Sequence, residues 1–399
     1  MKILMVNKFL YPNGGSETYI FKLGEELERQ GHEVQYFGME HEGRVVGNHA
    51  EAYTSNMDFH TGKLQKLLYP LRIIYSREAY RKIQQVLDDF EPDVVHLNNI
   101  NFQLTPSVID AVRDWEKKIG KRVRLVFTAH DYQWVCPNHM MMVPSSGERC
   151  ARCLGKHQGN CTKYRCIHNS LVKSLLGTLE AKFYDYKKTY GKVDVIICPS
   201  AFIESQLSSN ALLREKLVTL HNFIEQLPFG NITKKDYVLY FGRYTREKGV
   251  LTLLEAAKKL PDIPFVFAGD GDCKGQVENC KNVKNMGFLQ GDALHKVIAE
   301  ARFCVIPSEW YENCPFSVME AISYGTPVVG ANLGGIPELV QEGRTGELFE
   351  AGNVSALTKK IKSLWENGDL CQKYTENCKE TNFDNVTEYT HKLLNLYKG

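Results

Sequence analysis

PSEWYENCPFSVMEAISYGTPVVGANLGGIPELV, residues 307–340, decides the reading of this 399-residue chain. An apolar run, FCVIP (303–307), leads into it and reads as a strand; a second, PVVGA (327–331), lies within it. Between them stand two carboxylates, Glu312 and Glu320, eight residues apart across the expected start of a helix. Pro315 suits a first helical position, where its missing N–H would have no partner anyway. The free N–H groups of such a terminus, with the helix dipole, make a seat for a diphosphate. Eight helical residues rise roughly 12 Å, which lets the two carboxylates hold hydroxyls at opposite ends of a nucleotide sugar. Glutamates also favour helix starts through the dipole alone, so the surroundings must decide.

Working outward, short β-branched runs alternate with amphipathic stretches, the pattern of parallel sheets flanked by helices. Strands are expected at 3–7, 34–37, 94–97, 125–129 and 195–198 in the first half. In the second they are expected at 218–220, 238–241, 265–268, 304–306 and 328–329. The second half starts afresh with YVLYFGR (237–243) after a polar, turn-rich segment, 226–236, where a hinge is expected. A chain of this length exceeds what one core usually serves, so two domains are the natural reading.

Ser308, the Glu312 to Glu320 spacing, Glu320-Ala321, Gly325-x-Pro327-Val328-Val329 and Gly334-Gly335-x-Pro337-Glu338 form a specific series. Together they resemble the donor-binding signature of retaining glycosyltransferases of family 4. The resemblance covers most of the chain and is densest over 238–349. It implies an α/β fold of the GT-B type, two Rossmann-like domains facing across a cleft. Residues 1–200 would form the acceptor-side domain, with a Cys-rich insert at 136–170. Residues 201–375 would bind the nucleotide sugar, and 376–399 would carry a last helix, about 385–397, back to the first domain.

The same resemblance assigns roles along the chain. Tyr11-Pro12-Asn13-Gly14-Gly15-Ser16-Glu17 follows the first strand and opens an amphipathic helix with Ile20, Leu23 and Leu27 on one face. Glycines there let a ligand approach the backbone, and the resemblance turns Gly14 and Gly15 toward a donor diphosphate. A tight turn explains the same residues without a ligand. Phe241-Gly242-Arg243-Tyr244-Thr245-Arg246-Glu247-Lys248-Gly249 follows the first strand of the second half. Arg243 and Lys248 match the family's cations for the leaving diphosphate. Physically, no carboxylate cluster reads as a divalent-cation cage, so fixed cations are asked to stabilise the departing nucleotide. Asp270-Gly271 reads as a structural strand-end loop.

Thr128-Ala129-His130-Asp131-Tyr132 matches the family's histidine-bearing segment, which places His130 near the transferred sugar; His96-Leu97-Asn98-Asn99 is similar in kind. Gly287 and Phe288 would contact the base through backbone and ring. Glu312, with Asn313 and Cys314 beside it, would hold the sugar, and Glu320 the ribose. Many relatives carry Phe-Gly where Cys314-Pro315 stands, so one backbone contact to the sugar is lost, because proline has no N–H. Retention of configuration is implied by the family alone. It fits front-face substitution, in which catalysis rests on positioning and electrostatics and needs no cofactor.

The implied activity is transfer of a hexose, expected from UDP rather than GDP on family frequency, to a glycan or lipid-linked acceptor. Surface polysaccharide or glycoconjugate synthesis would be its setting. Rivals are a catalytically silent nucleotide-sugar-binding scaffold, a phosphorylase-like enzyme and a Rossmann oxidoreductase. The first is opposed by the intact Arg243, Lys248, Glu312 and Glu320 set. The phosphorylase lacks an identifiable pyridoxal-binding lysine. The oxidoreductase is opposed by the absence of G-x-G-x-x-G.

Net charge of +2 argues against general affinity for nucleic acid. The opening MKILMVNKF turns polar too soon for a signal peptide, and no apolar run is long enough to span a bilayer. A cytoplasmic, soluble protein is expected, with contact to the inner face of the membrane left open. Two basic regions motivate that contact. From Arg149 to Lys192 there are ten Lys or Arg against two acids, Glu180 and Asp185. Lys63, Lys66, Arg72, Arg77, Arg81 and Lys82 are interleaved with Leu64, Leu67, Leu68, Leu71, Ile73 and Ile74. Such mixtures suit anionic lipid, and equally a solvated helix face.

Five of the twelve cysteines, Cys136, Cys150, Cys153, Cys161 and Cys166, fall within thirty-one residues, near His139, His157 and His168. Cys150-x-x-Cys153 with Cys161-x4-Cys166 resembles a small structural zinc knot, with Cys136 or His139 as alternates for one ligand. An iron–sulfur cluster and free thiols are the other readings.

Overall fold

The computed structural model describes residues 1–55, 74–225 and 233–399. The chain divides into two units, Met1–His221 with Val386–Gly399, and Asn222–Asn385. Part of the expected hinge, 226–232, lies outside the described residues, as do Lys63, Lys66 and Arg72 of the basic cluster.

The first unit holds β1 (Lys2–Val6), β2 (Glu33–Phe37), β3 (Val94–Leu97) and β4 (Arg124–Thr128). A separate short antiparallel pair follows, β5 (Met142–Val143) with β6 (Glu148–Arg149), and then β7 (Val195–Cys198) and β8 (Leu217–Thr219). Six of these form one parallel sheet in the order β2-β1-β3-β4-β7-β8. The VVHL of β3 and the VIIC of β7 are buried at every position, as expected where helices cover both faces. The strand expected at 218–220 thus belongs to this first sheet, because it pairs with β7.

The second unit holds β9 (Lys235–Phe241), β10 (Phe265–Ala268), β11 (Val283–Asn285), β12 (Ala301–Ile306), β13 (Val328–Ala331) and β14 (Gly346–Phe349). Their order, β11-β10-β9-β12-β13-β14, is again fully parallel. In both sheets the order reverses once, between β1 and β3 and between β9 and β12. In doubly wound sheets such a reversal opens a crevice at the carboxyl ends of the strands.

Arg77, Arg81 and Lys82 lie on the helix Arg77–Phe90, capped by Ser76 through the Ala79 N–H at 3.1 Å. Its buried face is Ala79, Ile83, Val86, Leu87 and Phe90, which leaves Arg77 and Arg81 exposed on the other side and Lys82 half-buried at the edge. Among the described residues no helix is long and apolar enough to cross a membrane.

The last helix, Val386–Lys398, packs on the first unit through a buried polar network. Tyr389 Oη lies 2.8 Å from Tyr19 Oη, and Tyr397 Oη lies 2.7 Å from His96 Nδ1. His96 Nε2 in turn meets Thr128 Oγ1 at 2.7 Å. His96 is therefore a structural histidine. Burial, with the nearby His130 adding to it, pushes its pKa down from 6.5 to about 3. The unfolded chain takes up this proton as pH falls through 6.5, while the folded chain does not until about 3, so acid costs stability across that window. Urea melts of wild type should lose stability from pH 6 to pH 4, and His96→Leu should remove about one proton from that slope. Tyr397→Phe should cost about 1–3 kcal/mol at pH 7, because it leaves a buried imidazole nitrogen unpaired.

Candidate active site

In the second unit the β9 and β12 loops meet at the point of strand reversal. After β9 the chain makes a single turn, Arg246–Lys248, and Gly249 follows at φ +73°. A Cβ on Gly249 would stand 1.8 Å from the Pro307 carbonyl oxygen, so only glycine lets the two loops press together. That approach delivers Lys248 Nζ to Glu312 Oε1 at 2.6 Å. Ser308 Oγ donates to the same oxygen at 2.6 Å. Burial alone would raise the Glu312 carboxyl; the Lys248 charge and the bonds from Lys248 and Ser308 outweigh it and hold it below its ordinary value. Glu312 is thus a buried, ionised carboxylate with one cation beside it. The Gly334-Gly335 turn clamps its backbone: the Gly335 N–H donates to the Glu312 carbonyl at 2.7 Å.

The helix that follows is Phe316–Ser323 and does not begin at Pro315, whose ψ of 118° is extended. Glu312 therefore lies in the loop after β12, and the roughly 12 Å helical separation from Glu320 does not apply. Glu320 sits half-buried on that helix. The Cys314 thiol turns into the core, 3.7 Å from Met319 Sδ, where burial pushes it up to about 12. Its carbonyl accepts from Asn222 Nδ2 at 3.2 Å. Position 314 thus offers a ligand no side chain.

Arg243 is exposed, and its guanidinium has no ion pair among the described residues. Lys248 also sits over the Trp310 ring, 5.3 Å from its centroid, a contact with no signal in the sequence. Gly287, at φ +69°, donates its N–H to Asn285 Oδ1 at 2.9 Å and accepts at its carbonyl from the Gly269 N–H, in the loop after β10, at 2.8 Å. The neighbouring Phe288 ring is 71% exposed, open to stacking by a planar ligand.

In the first unit, the helix Gly15–Arg29 starts from an extended Gly14 with no side-chain cap, so its first N–H groups face outward beside exposed Gly14 and Gly15. A network the sequence did not announce holds this terminus. Asn7, at the end of β1, donates to Glu17 Oε1 at 2.9 Å and accepts from the Asn99 N–H at 3.0 Å. Asn99 Nδ2 reaches Ser16 Oγ at 2.8 Å. At the end of β4, His130 Nε2 lies 2.9 Å from Asn98 Oδ1. Asn98 Nδ2 donates to the His96 carbonyl at 3.3 Å, which fixes the amide and makes Nε2 the protonated nitrogen. Burial lowers His130 to about 4, so it is neutral at pH 7.

The zinc expectation finds no support in this geometry. Among the described residues no group of three or more His, Cys, Asp or Glu side chains is arranged to hold a metal ion. Cys136, Cys150, Cys153, Cys161 and Cys166 do line one small cavity, with Met141 and Met142 among them. Cys153, Cys161 and Cys166 pack as apolar groups with Tyr164 and Ile167. Burial raises Cys136 to about 11 and Cys153 to about 12, so both are thiols at neutral pH. The alternate His139 is committed elsewhere, stacked on Phe102 at 4.7 Å and 3.4 Å from Asp131 Oδ2.

Comparison with known proteins agrees with this geometry. A protein of Klebsiella pneumoniae described as an uncharacterized 42.6 kDa protein in the cps region is 26% identical over 360 residues, 85% of this chain and 87% of its own length. An uncharacterized glycosyltransferase of Methanocaldococcus jannaschii is 27% identical over 237 residues, 58% of this chain and 66% of that protein. Among solved structures, HepE of Anabaena in complex with UDP superposes with a TM-score of 0.67 at 16% identity, covering all of both chains. The family model Glycosyltransferase Family 4 matches residues 13–226, and the model Glycosyl transferases group 1 matches residues 224–381. With two such matches that meet along the sequence near the boundary between the two units, the chain belongs to glycosyltransferase family 4 and has the GT-B fold.

Proposed function

We propose that this glycosyltransferase moves a hexose from UDP to a glycan or lipid-linked acceptor with retention of configuration, in surface polysaccharide or glycoconjugate synthesis. The observation that carries the reading is the pairing of half-buried Lys248 with buried Glu312 at the strand reversal of the second sheet. UDP is favoured because HepE, of the same fold, was solved with it. A polysaccharide setting is favoured by the relative from the Klebsiella cps region.

Lys248 is one cation with two candidate anions, Glu312 and the diphosphate of the donor. When the donor enters, the ammonium is shared with the phosphates, and Glu312 is released in part to accept from sugar hydroxyls. Arg243 adds a second, unpaired cation. Charge developing on the leaving diphosphate then meets fixed positive groups that need no reorganisation. The acceptor hydroxyl attacks on the face from which the diphosphate leaves and passes its proton to a departing phosphate oxygen. Neutral His130, its Nε2–H held by Asn98, serves to orient hydroxyls rather than to carry charge.

The first test is nucleoside diphosphate release from a panel of UDP- and GDP-sugars in the presence of EDTA. Wild type should turn over a UDP-sugar. Arg243→Ala, which breaks no ion pair, should lower kcat by about ten- to a hundredfold, and Glu312→Ala by about 10²–10³-fold. Folding of each variant is checked by circular dichroism, since Lys248→Ala would also strand a buried carboxylate at a cost of about 3–5 kcal/mol. Binding of UDP without turnover by any donor would favour the scaffold reading, and absence of UDP and GDP binding would overturn the proposal.

The pH profile tests His130. With its pKa near 4, kcat should show no imidazole step between pH 6 and pH 8. A step near 6.5 that His130→Ala abolishes would contradict a neutral orienting role.

A further inference from the structure

The helix Leu171–Tyr186 is turned inside out. Its buried residues are Ser174, Gly177, Thr178, Glu180 and Tyr184, mostly small or polar. Its exposed residues include Leu171, Val172, Leu175, Leu179 and Tyr186, at 52, 67, 46, 45 and 88% exposure. At 3.6 residues per turn these five fall within an arc of about 100°, a stripe about 22 Å long. Such a contiguous apolar surface on a water-facing helix marks a contact surface.

The charges around the stripe choose its partner. Lys182 projects within the stripe, Lys173 lies near its start and Lys188 just beyond its end; all three are exposed and without an ion pair among the described residues. The helix offers no exposed carboxylate to offset them. Glu180 is buried, and Asp185 is paired with Lys156 at 3.0 Å. A second copy of the chain docking symmetrically through this face would set lysines against lysines with no acid between. A surface of anionic lipid headgroups over an apolar layer satisfies both the leucines and the lysines.

We infer that the helix Leu171–Tyr186 lies in the interface of an anionic membrane, its leucines and Tyr186 in the acyl boundary and its lysines among the phosphates. This goes beyond the proposed sugar transfer and needs no donor or acceptor to test, so the two readings stand or fall separately.

The test is co-sedimentation of the full chain with vesicles of phosphatidylcholine alone, or with about 30% phosphatidylglycerol, at low and high salt. Wild type should bind the anionic vesicles, more weakly as salt rises. Leu175→Ser/Leu179→Ser should weaken binding at least tenfold, and Lys182→Glu/Lys188→Glu by about fivefold or more per lysine. Unchanged circular dichroism and thermal melting of both variants would exclude misfolding. A further variant, Tyr186→Trp, keeps the proposal testable if the leucine variant fails to fold. Its emission should shift to the blue with anionic vesicles only. No binding, equal binding to neutral vesicles, or binding untouched by both variants would overturn the inference. So would a dimer in light scattering that Leu175→Ser/Leu179→Ser dissociates, which would give the face to a second copy.

Discussion

A parallel sheet sends the carboxyl end of every strand to one edge, and the loops leaving that edge must turn to one face or the other. Where the strand order reverses, the helices that follow the two neighbouring strands cover opposite faces, and the loops that lead to them frame a crevice at the strand ends. Both sheets of this chain obey that constraint, at β1/β3 and at β9/β12. Most of the polar groups with a claim to chemistry stand at these two places, while His130 follows β4 and Glu320 lies on the helix Phe316–Ser323. Asn7, the Gly15–Arg29 helix start and Asn98 flank the first. Arg243, Lys248, Ser308 and Glu312 flank the second. Neither set is contiguous in sequence; the topology assembles them.

Holding an ionised carboxylate in a buried position requires a partner, since an unpaired one would take up a proton instead. Lys248 is that partner for Glu312, and the demand runs back into the loops. Gly249 must be glycine for the β9 loop to reach Pro307, and the Gly334-Gly335 turn must approach the Glu312 backbone. The glycines of the Gly334-Gly335-x-Pro337-Glu338 element therefore serve the position of Glu312, and need not touch a ligand themselves. A pair held this way is also a competition, because the same ammonium can turn to a more highly charged anion.

How far the sequence could be read follows from where its signals arise. Buried central strands such as β3, β7 and β10 are written as unbroken apolar runs and were legible to the residue. The edge strands β11 and β14, VKN and GELF, are half-buried and carry no such run, so pattern alone passes over them. Lys248 and Glu312 stood in recognisable motifs and the fold brings them together, yet the separation of Glu312 from Glu320 was misjudged, since Pro315 holds an extended ψ and leaves Glu312 in a loop. The cysteine cluster shows the opposite limit. Spacing predicts that five sulfurs gather, and they do line one cavity, but whether they face a metal or pack as thiols depends on directions that sequence does not encode.

The two histidines, His96 in β3 and His130 after β4, differ in partner as well as in burial. Desolvation lowers both, and each is neutral at pH 7. His96 uses both ring nitrogens inside the protein, on Tyr397 and Thr128, and so can only be a structural tie to the last helix. His130 is half-buried and has its Nε2–H on the Asn98 carbonyl oxygen, an amide itself pinned to the backbone of β3. An imidazole whose Nε2–H is fixed by Asn98 keeps one tautomer and, with burial holding its pKa down at about 4, carries no charge at neutral pH.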